Sequence, residues 1–140
     1  MNLMTAFHKR IFLGLGHMNV TSPPAPRDCR KVSDVFSRIG DRWSMQVILV
    51  LNNQKQRFNE IKKGVNGISQ QMLARTLKLL ERDGLIERFV LDASPPKVSY
   101  ELTTLGLSLA EQVMALASWS LLNFETLSQN RERYDKTHEN

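Results

Sequence analysis

Val32, Val35, Phe36 and Ile39 stand at i, i+3, i+4 and i+7, the spacing of one helix face, and Gly40 follows in the helix-stop position. Asp41 predicts the N-cap of a second helix with Trp43 in its first turn. Met45 to Leu51 is apolar nearly all round, apart from Gln46, as in a helix buried on most sides; Asn52-Asn53-Gln54 closes it. A short extended piece, Gln56 to Phe58, leads into a third helix from Asn59 to about Lys63, and Gly64, Asn66 and Gly67 form a turn. The fourth helix, Gln70 to Asp83, has Ser69 as N-cap and Gly84 as its stop, and Met72, Leu73, Thr76, Leu77, Leu79 and Leu80 cover one side. Extended segments follow at Leu85–Leu91 and Lys97–Leu102. The linking Asp92-Ala93-Ser94-Pro95-Pro96 is too irregular for a two-residue turn but suits a longer hairpin tip. Thr103 or Thr104 then caps a last helix reaching at least Leu127.

This order predicts a mainly α protein with a small β-hairpin (α+β), a winged helix-turn-helix with a long C-terminal dimerisation helix. Ser22-Pro23-Pro24-Ala25-Pro26 breaks helices, so residues 1–26 read as a flexible N-terminal tail and 27–128 as the domain. Residues 129–140 are polar and are expected to fray. Met18 is an alternative start, because the residues before it lack both a helical stripe and strand alternation.

The last helix is apolar on two sides. Leu105, Leu109, Val113, Leu116 and Trp119 form one set; Ala110, Met114, Ala117, Leu121 and Phe124 form another. Burying both within one small chain is difficult, which predicts a two-fold homodimer built from this helix and the first. Val113, Leu116, Trp119, Leu121 and Phe124 are the candidate interface; packing of both faces inside one chain is the alternative.

The polar side of the fourth helix carries candidate chemistry. At about 100° per residue, Gln71, Arg75, Lys78 and Arg82 fall on one narrow stripe opposite Leu73 and Leu80. Gln reads adenine and Arg reads guanine through paired hydrogen bonds, and residues early in such a helix enter the groove, so Gln70, Gln71 and Arg75 are the base-edge candidates. Ser69, Lys78, Arg82 and, on the hairpin, Arg88 and Lys97 are the phosphate candidates. Lys62 and Lys63 add positive charge to the preceding helix. A basic stripe is also what a merely solvated helix face looks like. The helix and turn before it, and the hairpin after it, favour double-stranded DNA. Two such helices about one DNA turn apart, roughly 34 Å, predict an inverted-repeat operator.

Composition adjusts this reading little. The 140 residues suit one domain, and 19 Lys and Arg against 14 Asp and Glu give +5, a balance that permits nucleic-acid binding. The single cysteine, Cys29, excludes an intrachain disulfide. His8, His17 and His138 lie near the ends with no zinc-ligand spacing to Cys29, and no metal or cofactor is expected. Lys9 and Arg10 precede an apolar run, Ile11 to Leu15, too short for a signal-peptide core. No stretch is read as approaching the roughly 20 apolar residues of a membrane span, so a cytoplasmic protein without a membrane partner is expected. No phosphate loop, HExxH or Gly-rich dinucleotide turn suggests an enzyme, and no residue set marks a small-molecule effector site.

Five segments carry a resemblance: Ile39-Gly40-Asp41-Arg42-Trp43, Phe58-Asn59-Glu60-Ile61, Gly67-Ile68-Ser69-Gln70-Gln71-Met72-Leu73, Leu77 to Arg88 and Pro95 to Thr103. The chain resembles the HxlR-type winged helix-turn-helix regulators of bacteria, relatives of the MarR-type repressors, from about Cys29 to Trp119. The resemblance implies a cytoplasmic dimer that represses or activates nearby genes. Members often carry a cysteine just before the first helix, which in some senses electrophiles or oxidants. Cys29 occupies that place, with Arg30 where proline is common. Arg27, Arg30 and Lys31 surround it with positive charge that favours the reactive thiolate; an inert thiol is the alternative. The competing function is a winged-helix module for protein contacts, with the basic stripe incidental.

Overall fold

The computed structural model describes residues 25–52 and 54–139. The elements are α1 (Pro26–Ile39), α2 (Arg42–Leu51), β1 (Gln56–Arg57), α3 (Phe58–Gly64), α4 (Gln70–Arg82), β2 (Ile86–Leu91), β3 (Lys97–Leu102) and α5 (Thr104–His138). They form a winged helix-turn-helix with a three-stranded antiparallel sheet, in the order β1-β3-β2. The wing is therefore more than a hairpin: Gln56 pairs with Tyr100 and Arg57 with Ser99, which ties the segment before α3 to β3.

Caps set the helix starts. The Asp41 carboxylate accepts from the Trp43 and Ser44 backbone N–H groups at 2.8 and 2.9 Å. The Ser69 hydroxyl accepts from Met72 N–H at 3.1 Å, and Thr103 from Gly106 N–H at 3.1 Å. Before α3, the Arg57 N–H donates to the Glu60 carboxylate at 2.7 Å. Gly84 at φ +72° ends α4 in the left-handed region, which a side chain would disfavour.

The core lies where α2, α3, α4, the sheet and the start of α5 meet. Val47, Ile48, Leu51, Ile61, Leu73, Leu77, Tyr100, Leu102, Ala110 and Val113 are among its buried residues. Within α4 the inner face is Leu73, Thr76, Leu77 and Leu80; Leu79, expected on that side, is 38% exposed.

The start of α1 and two features of α5 differ from expectation. The tail predicted over 1–26, and the choice between Met1 and Met18, lie outside the described residues except for Ala25 and Pro26. Pro26 already opens α1, whose first turns are polar and show no apolar stripe. At the other end, the polar residues expected to fray continue α5 to His138. Local i,i+4 contacts support them: Gln129 donates to Glu125 at 3.0 Å, and the Tyr134 and His138 rings stack at 3.9 Å. Finally, α5 contains a window long and apolar enough to cross a membrane by length and composition, which corrects the expectation that no stretch approached that size. Ala110 and Val113 within α5 are built into the core of the domain.

The end of α4 and the start of α5 are joined directly. Thr103 Oγ1 donates to the Gly84 carbonyl at 2.6 Å, and Thr103 N–H donates to the Leu85 carbonyl at 3.1 Å. Gly106 packs so closely there that a Cβ would lie 1.9 Å from the Leu85 carbonyl oxygen.

Candidate nucleic-acid interface

Helix α4 is fixed from behind and left open in front. Leu73, Leu77 and Leu80 are 0 to 3% exposed and hold it against the core. Val65 and Ile68, in the turn before it, are buried as well, so the turn that includes Gly67 at φ +81° is anchored at both shoulders. On the opposite side Gln70, Gln71, Arg75, Lys78 and Arg82 are all exposed, as the stripe predicts. The Ser69 hydroxyl oxygen is occupied as the cap, but its O–H can still donate.

The charges on this face are uncommitted. Among the described residues, Arg75, Lys78 and Arg82 make no ion pair; the pairs present are Lys31–Asp28, Arg38 with Asp34 and Asp83, and Lys55–Glu101. Lys62 and Lys63 are exposed at the end of α3. Such a surface attracts phosphate without first breaking internal pairs.

The wing candidates are separated. Arg88 and Lys97 are both exposed. The register sets Arg88 opposite Tyr100 and Leu91 opposite Lys97, so the two basic residues project from opposite faces of the β2–β3 ribbon. On the Lys97 face, Lys55 lies 3.5 Å from the centre of the Phe89 ring and 3.5 Å from the Glu101 carboxylate. Lys55 thereby braces both strands of the wing. Only the pairing register exposes that role; nothing in the local sequence of Lys55 signals it.

The HxlR-like helix-turn-helix family model matches residues 38–128, spanning α2 to most of α5. The chain belongs to the HxlR-like helix-turn-helix family. It is 37% identical over 101 residues to YtfH of Escherichia coli K12, called an HTH-type transcriptional regulator, covering 71% of this chain and 80% of that one. Among solved structures it is similar to the transcriptional regulator ytfH from Salmonella typhimurium, with a TM-score of 0.68 and 32% identity, covering 81% of this chain and 97% of that one. It is also similar to the reduced form of the transcriptional regulator YodB from Bacillus subtilis, with a TM-score of 0.59 and 38% identity, covering 70% of this chain and 92% of that one. YodB has been solved after diamide treatment as well.

In this HxlR-like protein the candidate interface residues of α5 divide. Leu116, Trp119, Leu121 and Phe124 are 51 to 78% exposed. Val113 is 5% exposed, because its side of α5 is spent against the chain's own core. On α1, Val35 and Phe36 of the predicted apolar face are exposed too. Cys29 is exposed and lies within the first turn of α1, not before the helix, since Pro26 starts α1 a turn earlier. Its neighbour Lys31 is drawn to Asp28 at 3.8 Å.

Proposed function

We propose that this HxlR-like protein is a cytoplasmic, sequence-specific double-stranded-DNA-binding transcription regulator that works as a homodimer. The observation that carries the reading is α4: locked to the core by its leucines, with an exposed and unpaired Gln/Arg/Lys face. Gln70, Gln71 and Arg75 read base edges in the major groove. Lys78, Arg82 and the Ser69 hydroxyl take phosphates beside it, and Arg88 and Lys97 take phosphates from the two faces of the wing. The apolar residues left uncovered on α1 and α5 support a second copy of the chain as partner.

Footprinting on the DNA flanking its own gene tests this. The expected result is a protected inverted repeat bound by a dimer in sedimentation, with affinity falling steeply as salt rises. Binding without site preference would favour the protein-contact module instead.

Cys29 is the group through which oxidants or electrophiles would release the DNA, a reading supported by the similarity to YodB. With one cysteine per chain, oxidation by diamide must join Cys29 to a thiol outside the chain. The two thiols lose two protons and two electrons, and diamide becomes its hydrazine. Wild-type protein is expected to leave its operator on diamide treatment, and Cys29→Ser to stay bound. Equal release of the two in a gel-shift assay would refute the sensing role.

A further inference from the structure

Helices α1, α2 and α4 enclose a groove of about 380 Å³, lined by Ser37 and Ile39 of α1, Trp43 of α2, and Met72, Arg75 and Leu79 of α4. One ion pair spans its rim. Arg38, in the last turn of α1, reaches Asp83, the C-cap of α4, at 3.5 Å and is itself held by Asp34 at 3.7 Å. Among the described residues no other ion pair links α1 to the reading unit.

Helix α1 meanwhile keeps an apolar face uncovered within one chain. Phe36 is 69% and Val35 48% exposed, so its apolar face awaits a covering surface. Whatever covers it fixes the angle of α1. Arg38 passes that angle to the end of α4 opposite the residues that enter the groove.

We infer that Arg38 is a positioning residue for DNA reading, tying α4 at Asp83 to α1 so that seating of α1 in the dimer sets the pose of each recognition helix. This rests on the dimeric DNA-binding reading above. Arg38 does not touch DNA in this role. Its effect therefore depends on two helices having to fit two half-sites at once.

The test uses the full chain and a duplex selected from a random pool by the wild-type protein. Comparison duplexes carry one half-site scrambled, or extra base pairs between the half-sites. Arg38→Gln is expected to weaken binding to the two-half-site duplex by about two- to fivefold, the range for the one exposed ion pair that joins α1 to α4. It should leave the single half-site and the dimer fraction unchanged, and should flatten the dependence on half-site spacing. Asp83→Asn should reproduce this, and the exchange Arg38→Asp with Asp83→Arg, made together with Asp34→Asn so that no like charge faces the new carboxylate, should restore wild-type binding. Equal losses on one and two half-sites would mean that Arg38 contacts DNA or props the fold, and would overturn the inference. So would an unchanged affinity, or an exchange that fails to rescue. A wild-type chain that binds one and two half-sites alike overturns the dimeric reading itself, before any variant is compared.

Discussion

Arg75→Ala is expected to cost about 1–3 kcal/mol of binding to the operator, roughly 5- to 150-fold in affinity, with little change in the melting temperature. Arg75 is exposed and makes no ion pair among the described residues, so its removal opens no cavity and strands no buried charge. The fold rests on the other face of α4, on Leu73, Leu77 and Leu80. The loss should therefore appear in recognition alone. A base-reading arginine loses specific binding far more than nonspecific binding, and discrimination relaxes at the one position it reads. Lys78→Ala should behave differently, weakening all duplexes alike and lowering the salt slope by about one. Fluorescence anisotropy across a salt series, with operator and scrambled duplexes, separates these outcomes. Equal losses for Arg75→Ala on both duplexes would make it a phosphate contact.

Gly106→Ala is expected to destabilise the protein by about 2 kcal/mol or more, in the direction opposite to helix propensity. Alanine in place of glycine inside a helix is ordinarily worth about 1 kcal/mol of added stability. Here the new Cβ would sit 1.9 Å from the Leu85 carbonyl oxygen and 3.0 Å from its carbon. The obstacle is backbone, so no rotamer change relieves it. Overpacking of this kind costs about 1–3 kcal/mol and occasionally more. The same carbonyl accepts the Thr103 N–H, so pushing it away also strains a hydrogen bond worth about 1 kcal/mol. The clash outweighs propensity. For a domain near this size the melting temperature should fall by about 8 °C or more. A rise in melting temperature would show that α5 does not dock on Leu85 as described. DNA binding should weaken too, since the junction carries α4.

Much of this was legible in the sequence because the signals are local. Asp41, Ser69 and Thr103 cap the helices they precede, and the leucines of α4 keep strict helical spacing. What the chain hid depends on pairing or on polar helix. The first turns of α1 and the last of α5 carry no apolar stripe; Pro26 and local polar contacts hold them instead. Arg88 and Lys97 read alike as basic residues of the hairpin, and only the register places them on opposite faces. Val113 and Leu116 look alike in a list of apolar positions, yet only Val113 turns into the core. Lys55 becomes a brace solely because β1 joins the sheet beside β3.

The Thr103–Gly84 junction has a mechanical consequence. It holds α4 at its C-terminal end, while Gln70, Gln71 and Arg75 stand toward the other end. Because its leucines lock α4 to the core, helix and core turn together about a pivot at the start of α5, and at 1.5 Å per residue the 13 residues of α4 give an arm of about 20 Å. A tilt of about 10° at the pivot moves the reading end by about 3.4 Å, which is one base-pair step along DNA. A small rotation where α5 begins is enough to put the recognition residues one base pair out of register.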